Sequence, residues 1–72
     1  MMNTLIFKTN IKTDKDFLRI RSILSETKKI KECTIDLDDA DRVMRILSDS
    51  LTVTEVENEL ASLGYYCKEL ED

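Results

Sequence analysis

The segment IKTDKD, at residues 11–16, marks the transition from a strand pattern to a helix pattern, and the prediction of the fold starts from it. Residues 4–10 alternate apolar and polar side chains, as a strand with one buried face does. From Phe17 onward, apolar residues recur every three or four positions, which predicts a first helix beginning there. We expect the Thr13 hydroxyl to cap this helix by accepting the backbone N–H of Asp16.

A second strand and a third strand follow the first helix. Residues 33–37 alternate again, and residues 42–47 are predominantly apolar. Between them the acidic segment 36–41 breaks the pattern as a turn does, so we expect an antiparallel hairpin. A calcium loop is the alternative reading of this segment, but Asp41 stands where such a loop needs glycine and Leu47 where it needs glutamate.

The second helix has the clearest local signal in the chain. Thr52 and Glu55 have the spacing of a capping box, and Leu51 is placed to pack against Val56 as a hydrophobic staple. Gly64 has the position of the left-handed residue that ends a helix. Residues 65–70 then complete the chain as a fourth strand.

The order β-α-β-β-α-β predicts an α+β fold of the ferredoxin-like class, a four-stranded antiparallel sheet with both helices on one face and strand order 4-1-3-2. One face of the sheet is expected to pack against the helices and the other to remain open. The predicted core face carries Leu5, Phe7, Cys33, Ile35, Met44, Ile46, Tyr65 and Cys67. The predicted open face carries Ile6, Val43, Leu47, Tyr66 and Leu70.

Composition indicates one folded domain that spans residues 1–72. Apolar residues make up 42% of the chain and charged residues 36%, and there is no proline, which is typical of a folded chain. The first residues lack the pattern of a secretory signal, and no apolar run approaches the roughly 18 residues of a membrane span. We therefore expect a cytoplasmic protein.

The net charge of −4 is unevenly distributed along the chain. Residues 1–31 carry eight Lys or Arg against three acids, whereas residues 32–72 carry three against twelve. The negative total, without a basic stripe interleaved with aromatic residues, argues against nucleic acid as a ligand. The absence of histidine, of a nucleophile beside a base and of a glycine-rich phosphate loop predicts that the protein is not an enzyme.

Cys33 and Cys67 fall on the core face of the two predicted edge strands. Three strand spacings separate these strands by roughly 14 Å, more than a disulfide can bridge. We expect two small buried side chains, and a reactive or metal-binding role is the alternative.

The chain resembles the heavy-metal-associated domains of copper chaperones and metal-transporting ATPases over nearly its whole length. The resemblance rests on the loop at residues 11–16, on Ile35-Asp36-Leu37 and on Gly64-Tyr65. It places the two cysteines of the family's M-x-C-x-x-C metal motif on Thr13 and Asp16, and the buried methionine on Ile11. Neither Thr13 nor Asp16 is a soft donor, so the resemblance implies the fold with a degenerate metal loop.

Two functions are compatible with this sequence. The first is a protein-interaction module without a cofactor, in which four basic residues near the first loop and helix meet a partner with an acidic surface, such as a metal-transport protein. These residues are Lys12, Lys15, Arg19 and Lys28. The second is a metal-binding protein or metallochaperone for copper or zinc, with Cu(I) or Zn(II) bound weakly, shared with a partner, or contacted through the weak hard-ligand candidates Asp14 and Asp16. The open face also predicts a weak homodimer.

Overall fold

The computed structural model describes residues 2–27 and 30–70. Its elements, in chain order, are β1 (Asn3–Thr9), α1 (Asp14–Thr27), β2 (Ile30–Asp36), β3 (Val43–Ser48), α2 (Val53–Ser62) and β4 (Cys67–Glu69). The strands form one sheet in the order β2-β3-β1-β4, and every neighbouring pair is antiparallel. This confirms the ferredoxin-like prediction, including the strand order.

Helix α1 begins at Asp14, three residues before the predicted start at Phe17. The Thr13 hydroxyl accepts the backbone N–H of Asp16 at 3.1 Å, and the Thr13 carbonyl accepts that of Phe17 at 3.1 Å. The predicted cap is therefore confirmed. The predicted start was late because the first turn is polar and contributes nothing to the apolar periodicity.

The strand boundaries also differ from the predictions at three places. Strand β2 begins earlier, at Ile30, and has an irregularity between Ile30 and Glu32. Strand β3 begins at Val43 because Arg42 has a left-handed backbone, with φ 47°, that belongs to the preceding turn. Strand β4 is confined to Cys67–Glu69, so both tyrosines lie in the loop before it.

Helix α2 follows its local signals closely. Glu55 donates its backbone N–H to the Thr52 hydroxyl at 3.2 Å, and the Glu55 carboxylate accepts the backbone N–H of Thr52 at 3.1 Å. Leu51 and Val56 are both buried in the core, as a staple requires. Gly64 has φ 88°, which confirms the left-handed residue after the helix.

The core lies between the two helices and one face of the sheet. The fully buried side chains come from the sheet, from both helices and from the loop before α1. They are Phe7, Ile11, Ile20, Leu24, Met44, Ile46, Val56 and Leu60, together with Ser48. Of the predicted core face, Leu5, Ile35 and Tyr65 are partly buried against this cluster and the other five side chains are buried.

The open face is less apolar than the sequence predicts. Val43 is only 9% exposed, so its predicted contribution to an exposed patch is wrong. Tyr66 is 52% exposed. Lys8 lies directly opposite Lys68 in the sheet, and Arg45 lies opposite Ile6, so basic side chains are interspersed with the apolar ones.

Neither helix in the described part of the chain has the length and apolar character needed to cross a membrane.

Candidate functional site

Three connecting segments meet at one end of the sheet. They are the β1–α1 loop (residues 10–13), the β2–β3 turn (residues 37–42) and the α2–β4 loop (residues 63–66). Backbone and side-chain hydrogen bonds join the first of these segments to each of the other two. The β1–α1 loop therefore lies between two supports.

The β2–β3 turn supports the β1–α1 loop from one side through Arg42. The Arg42 Nη1 donates to the backbone carbonyl of Ile11 at 3.1 Å and to that of Lys12 at 3.4 Å. Thr9 joins the same network, because its hydroxyl donates to the Arg42 carbonyl at 2.7 Å and accepts the backbone N–H of Ile11 at 3.2 Å. Its own N–H donates to the carbonyl of Asp41 at 2.9 Å. The loop backbone is thus fixed at two consecutive carbonyls.

The α2–β4 loop supports the other side. The Asn10 side-chain oxygen accepts the backbone N–H of Tyr66 at 2.8 Å, and the Asn10 N–H donates to the Tyr66 carbonyl at 3.2 Å. Tyr65 reaches the start of α1, where a side-chain hydrogen bond to Asp16 raises the pKa of the Tyr65 phenol. Arg19 lies near enough to lower the same pKa in part. Sequence reasoning missed Arg42, Asn10 and the Tyr65–Asp16 pair.

The two positions that the resemblance assigns to metal ligands, Thr13 and Asp16, carry no soft donor. The Thr13 hydroxyl is used as the helix cap, and the Asp16 carboxylate is engaged by Tyr65. Ile11 is fully buried, as expected of the residue that replaces the family's methionine. Within residues 2–27 and 30–70, no three His, Cys, Asp or Glu side chains are grouped so that they could hold a metal ion. The proposal that Asp14 and Asp16 contact a hard metal stays a prediction.

The predicted partner-binding residues lie on an exposed surface that we call the docking surface. Lys12 is exposed in the β1–α1 loop, and Lys15 and Arg19 are exposed one turn apart on α1. Leu18, which is 49% exposed, is three residues after Lys15 and is its neighbour on the helix surface. Sequence reasoning missed Leu18, although its position outside the apolar stripe was a usable signal. Lys28 lies outside the described residues.

A shallow depression adjoins the docking surface. Its volume of about 260 Å³ is below the range that is typical of ligand pockets, and it opens between the β1–α1 loop and the β2–β3 turn. Its lining consists of Thr9, Asn10, Lys12, Ala40 and Arg42. The depression is therefore suited to a single side chain of a partner.

The acidic β2–β3 turn uses its carboxylates to stabilise its own backbone. Asp36 accepts the backbone N–H of Asp38 at 3.1 Å, and Asp39 accepts that of Asp41 at 2.8 Å. The N–H of Arg42 donates to the Asp39 carbonyl at 3.1 Å. These contacts confirm the hairpin turn that the sequence predicts.

Both cysteines are free and buried, in the two edge strands of the sheet. Burial raises the pKa of Cys33 to about 11, and Arg21 opposes this shift in part. Burial also raises the pKa of Cys67 to about 11, and Glu57 adds to the rise. Thiols with such pKa values are protonated at neutral pH, as inert core side chains are.

Comparison with known proteins gives a structural likeness without a sequence relative. The sequence matches no family model and no curated protein. Among solved structures, the chain is similar to oxidized MerP from Ralstonia metallidurans CH34, with a TM-score of 0.79 and 12% sequence identity. The match covers 99% of this chain and 100% of that chain. At this identity the likeness shows a shared fold and nothing finer.

Proposed function

We propose that this chain is a cytoplasmic, non-enzymatic protein-interaction module built on the heavy-metal-associated fold. Its partner is a protein with an acidic surface, and the contact is made by the docking surface of Lys12, Lys15, Leu18 and Arg19. The proposal also includes Lys28, on the basis of the sequence alone. No metal is needed for the contact.

The proposal rests on one observation: the side chains at the two positions that would supply metal ligands make other contacts in this chain. The Thr13 hydroxyl caps α1, and the Asp16 carboxylate lies beside the Tyr65 phenol, whose pKa it raises. A hydroxyl and a carboxylate are also poor ligands for Cu(I). The loop backbone nevertheless remains fixed by Arg42 and Asn10, so what this end of the fold retains is a defined surface.

The charges of the docking surface explain the kind of partner it fits. Lys12, Lys15 and Arg19 are positive and Asp14 and Asp16 are negative, so residues 12–19 carry a net charge of +1. Charge alone then gives orientation and faster association rather than high affinity. Leu18 supplies the apolar contact that a specific interface needs at its centre. We expect a partner with carboxylates around an apolar recess.

The absence of metal binding is tested by native mass spectrometry after anaerobic incubation with Cu(I) or Zn(II). We expect no one-to-one adduct that survives a weak competing chelator. A surviving one-to-one complex would overturn the interaction proposal in favour of metal handling.

The docking surface is tested by affinity capture with three forms of the immobilised protein. These are wild type, Lys12→Glu/Lys15→Glu/Arg19→Glu, and a control with equal charge change, Lys8→Glu/Arg45→Glu/Lys68→Glu, on the open face. We expect an acidic protein to be retained by wild type and by the control, to be lost with the docking-surface variant, and to elute as salt is raised. Equal retention by all three forms would contradict the proposal.

Metal handling is the second candidate function, and it rests on the resemblance of the sequence to heavy-metal-associated domains. In this case Asp14 and Asp16 would contact a hard metal, or another chain would supply ligands to a shared Cu(I) or Zn(II) site. Metal-dependent association with a second protein, abolished by Asp16→Asn, would support this candidate.

A further inference from the structure

Arg42 combines two unusual features. Its backbone has φ 47°, a conformation that is unfavourable for a residue with a side chain and that glycine adopts freely. Its guanidinium also reaches out of its own turn to two carbonyls, those of Ile11 and Lys12, which lie 31 and 30 residues away in sequence. A turn that needed only this backbone shape would be better served by glycine.

The contacts that Arg42 makes are directed at the β1–α1 loop. Both acceptors are in that loop, and the Arg42 carbonyl accepts the hydroxyl of Thr9, which in turn holds the N–H of Ile11. The last acceptor, Lys12, belongs to the docking surface and immediately precedes the cap of α1. Fixing its carbonyl restricts the direction in which the Lys12 side chain leaves the backbone.

We propose that Arg42 is a positioning residue that holds the β1–α1 loop in the conformation in which Lys12 and the start of α1 face a partner. The consequence for binding rests on the proposed function, whereas the clamp on the loop does not. Without the guanidinium the carbonyls of Ile11 and Lys12 lose this donor, and the loop keeps only the backbone and hydroxyl contacts of Thr9 and the Asn10–Tyr66 contacts. It then samples other conformations, and a partner must select the competent one at the expense of affinity.

The clamp is tested by amide hydrogen exchange, measured by NMR, in wild type and in Arg42→Gly and Arg42→Asn. Both replacements accept a left-handed backbone, so they remove the guanidinium without adding backbone strain. The reporters are the N–H groups of Ile11 and Asp16 in the loop and cap. The internal control is the pair of N–H groups of Glu55 and Val56, which donate to the hydroxyl and the carbonyl of Thr52 at the start of α2.

We expect exchange at Ile11 and Asp16 to become about tenfold faster in both variants, as the loss of two hydrogen bonds implies, with no change at Glu55 and Val56. Arg45→Thr, which removes an exposed arginine from β3, should change neither pair. Unchanged exchange at Ile11 and Asp16 would overturn the proposal. An equal acceleration at all four sites would also overturn it, because the role of Arg42 would then be general stability.

The effect on binding is measured in the same capture assay as the docking surface. Arg42→Gly should weaken retention of the acidic partner although Lys12, Lys15 and Arg19 are all present, and Arg45→Thr should not. If wild type retains no acidic partner, the proposed function fails while the exchange result on the clamp stands. If Arg42→Gly accelerates exchange but binds as wild type does, the positioning role in binding is contradicted.

Discussion

The two helices begin with the same sequence signature and use it differently. Each is capped by a threonine, Thr13 in α1 and Thr52 in α2, and each has an acidic residue three positions later. In α2, Glu55 reaches back to the backbone N–H of Thr52 at 3.1 Å and completes a closed local box. In α1, the shorter Asp16 is engaged instead by Tyr65, a residue from the other end of the chain.

The start of α1 is therefore held by contacts with residues distant in the sequence, whereas the start of α2 is held by contacts within its own helix start. Arg42 and Asn10 add two further long-range contacts to the loop before α1. The residues before α2 make a local contact, in which the Ser48 side chain accepts the N–H of Leu51 at 3.2 Å. A site that must present fixed geometry to a ligand or partner is better built on the first kind of support.

The largest expected effect comes from placing two thiols at the start of α1, with Thr13→Cys and Asp16→Cys. The family's ligand spacing is then restored in a loop held on both sides, and the positive end of the helix favours the thiolates. We expect the apo variant to lose about 1 kcal/mol with the cap, and to gain about 3 kcal/mol when free Cu(I) exceeds the dissociation constant a hundredfold. Thermal unfolding with and without Cu(I) measures both changes.

The matched control places the same pair at the start of α2, with Thr52→Cys and Glu55→Cys. It should bind Cu(I) more weakly, because that helix start has only its local box to hold it. Equal Cu(I) binding by the two cysteine pairs would contradict the claim that the start of α1 is held more firmly than the start of α2. No binding by the α1 pair would show that its loop departs from the family's geometry.

The caps themselves should differ in their contribution to stability. Thr52→Ala removes the hydroxyl that accepts from Glu55 and also donates to its carboxylate at 3.0 Å, so we expect a loss of about 1–2 kcal/mol. Thr13→Ala removes one bond from a start that Arg42 and Asn10 still hold, and we expect about 0.5–1 kcal/mol. Urea unfolding measures both, and an equal or larger loss for Thr13→Ala would contradict this ranking.

A smaller effect is expected from Tyr65→Phe, which removes the phenol bonded to Asp16. The raised pKa of Tyr65 means that the folded protein holds the phenol proton more tightly than the unfolded chain does. This stabilisation is complete below the ordinary pKa of about 10 and is lost as the pH rises through the higher folded value. The variant should therefore be less stable than wild type at pH 7, and the difference should shrink above pH 10.

Urea unfolding at several pH values measures this difference, and Tyr66→Phe is the control because Tyr66 is exposed. A stability difference that stays constant across the range would show that the Tyr65 hydroxyl contributes through something other than its proton.

The smallest effect concerns the weak homodimer that we propose through the open face. Lys8, Arg45 and Lys68 share this face with Ile6, and Tyr66 is exposed in the loop that leads into β4, so repulsion should keep association weak. Sedimentation at high protein concentration should show a weak dimer that Tyr66→Lys removes and Leu18→Lys, with similar exposure on the helix side, does not. Sedimentation as a monomer at every concentration would show that the prediction is wrong.

Much of the fold was predictable because its signals are local. The spacing of Ile20 and Leu24, the Thr52 box and Gly64 each report on a few neighbouring residues, and the structure confirms each of them. The start of β3 was misplaced at Arg42 because a left-handed arginine has no sequence signal. The buried Val43 was misjudged because alternation gives the face of a residue but not how far its neighbours cover it.

In the candidate site, too, local features could be predicted from the sequence and long-range contacts could not. Local patterns in the sequence are sufficient to predict that the loop precedes a capped helix and that basic residues surround it. The correspondence of Thr13 and Asp16 to metal-ligand positions is what the resemblance implies, and it stays a prediction. The contacts by which Arg42, Asn10 and Tyr65 hold that loop are visible only in the tertiary structure, because they join residues up to 56 positions apart. Such contacts depend on the register of the antiparallel sheet and on the path of each connection, which no local pattern of residues encodes.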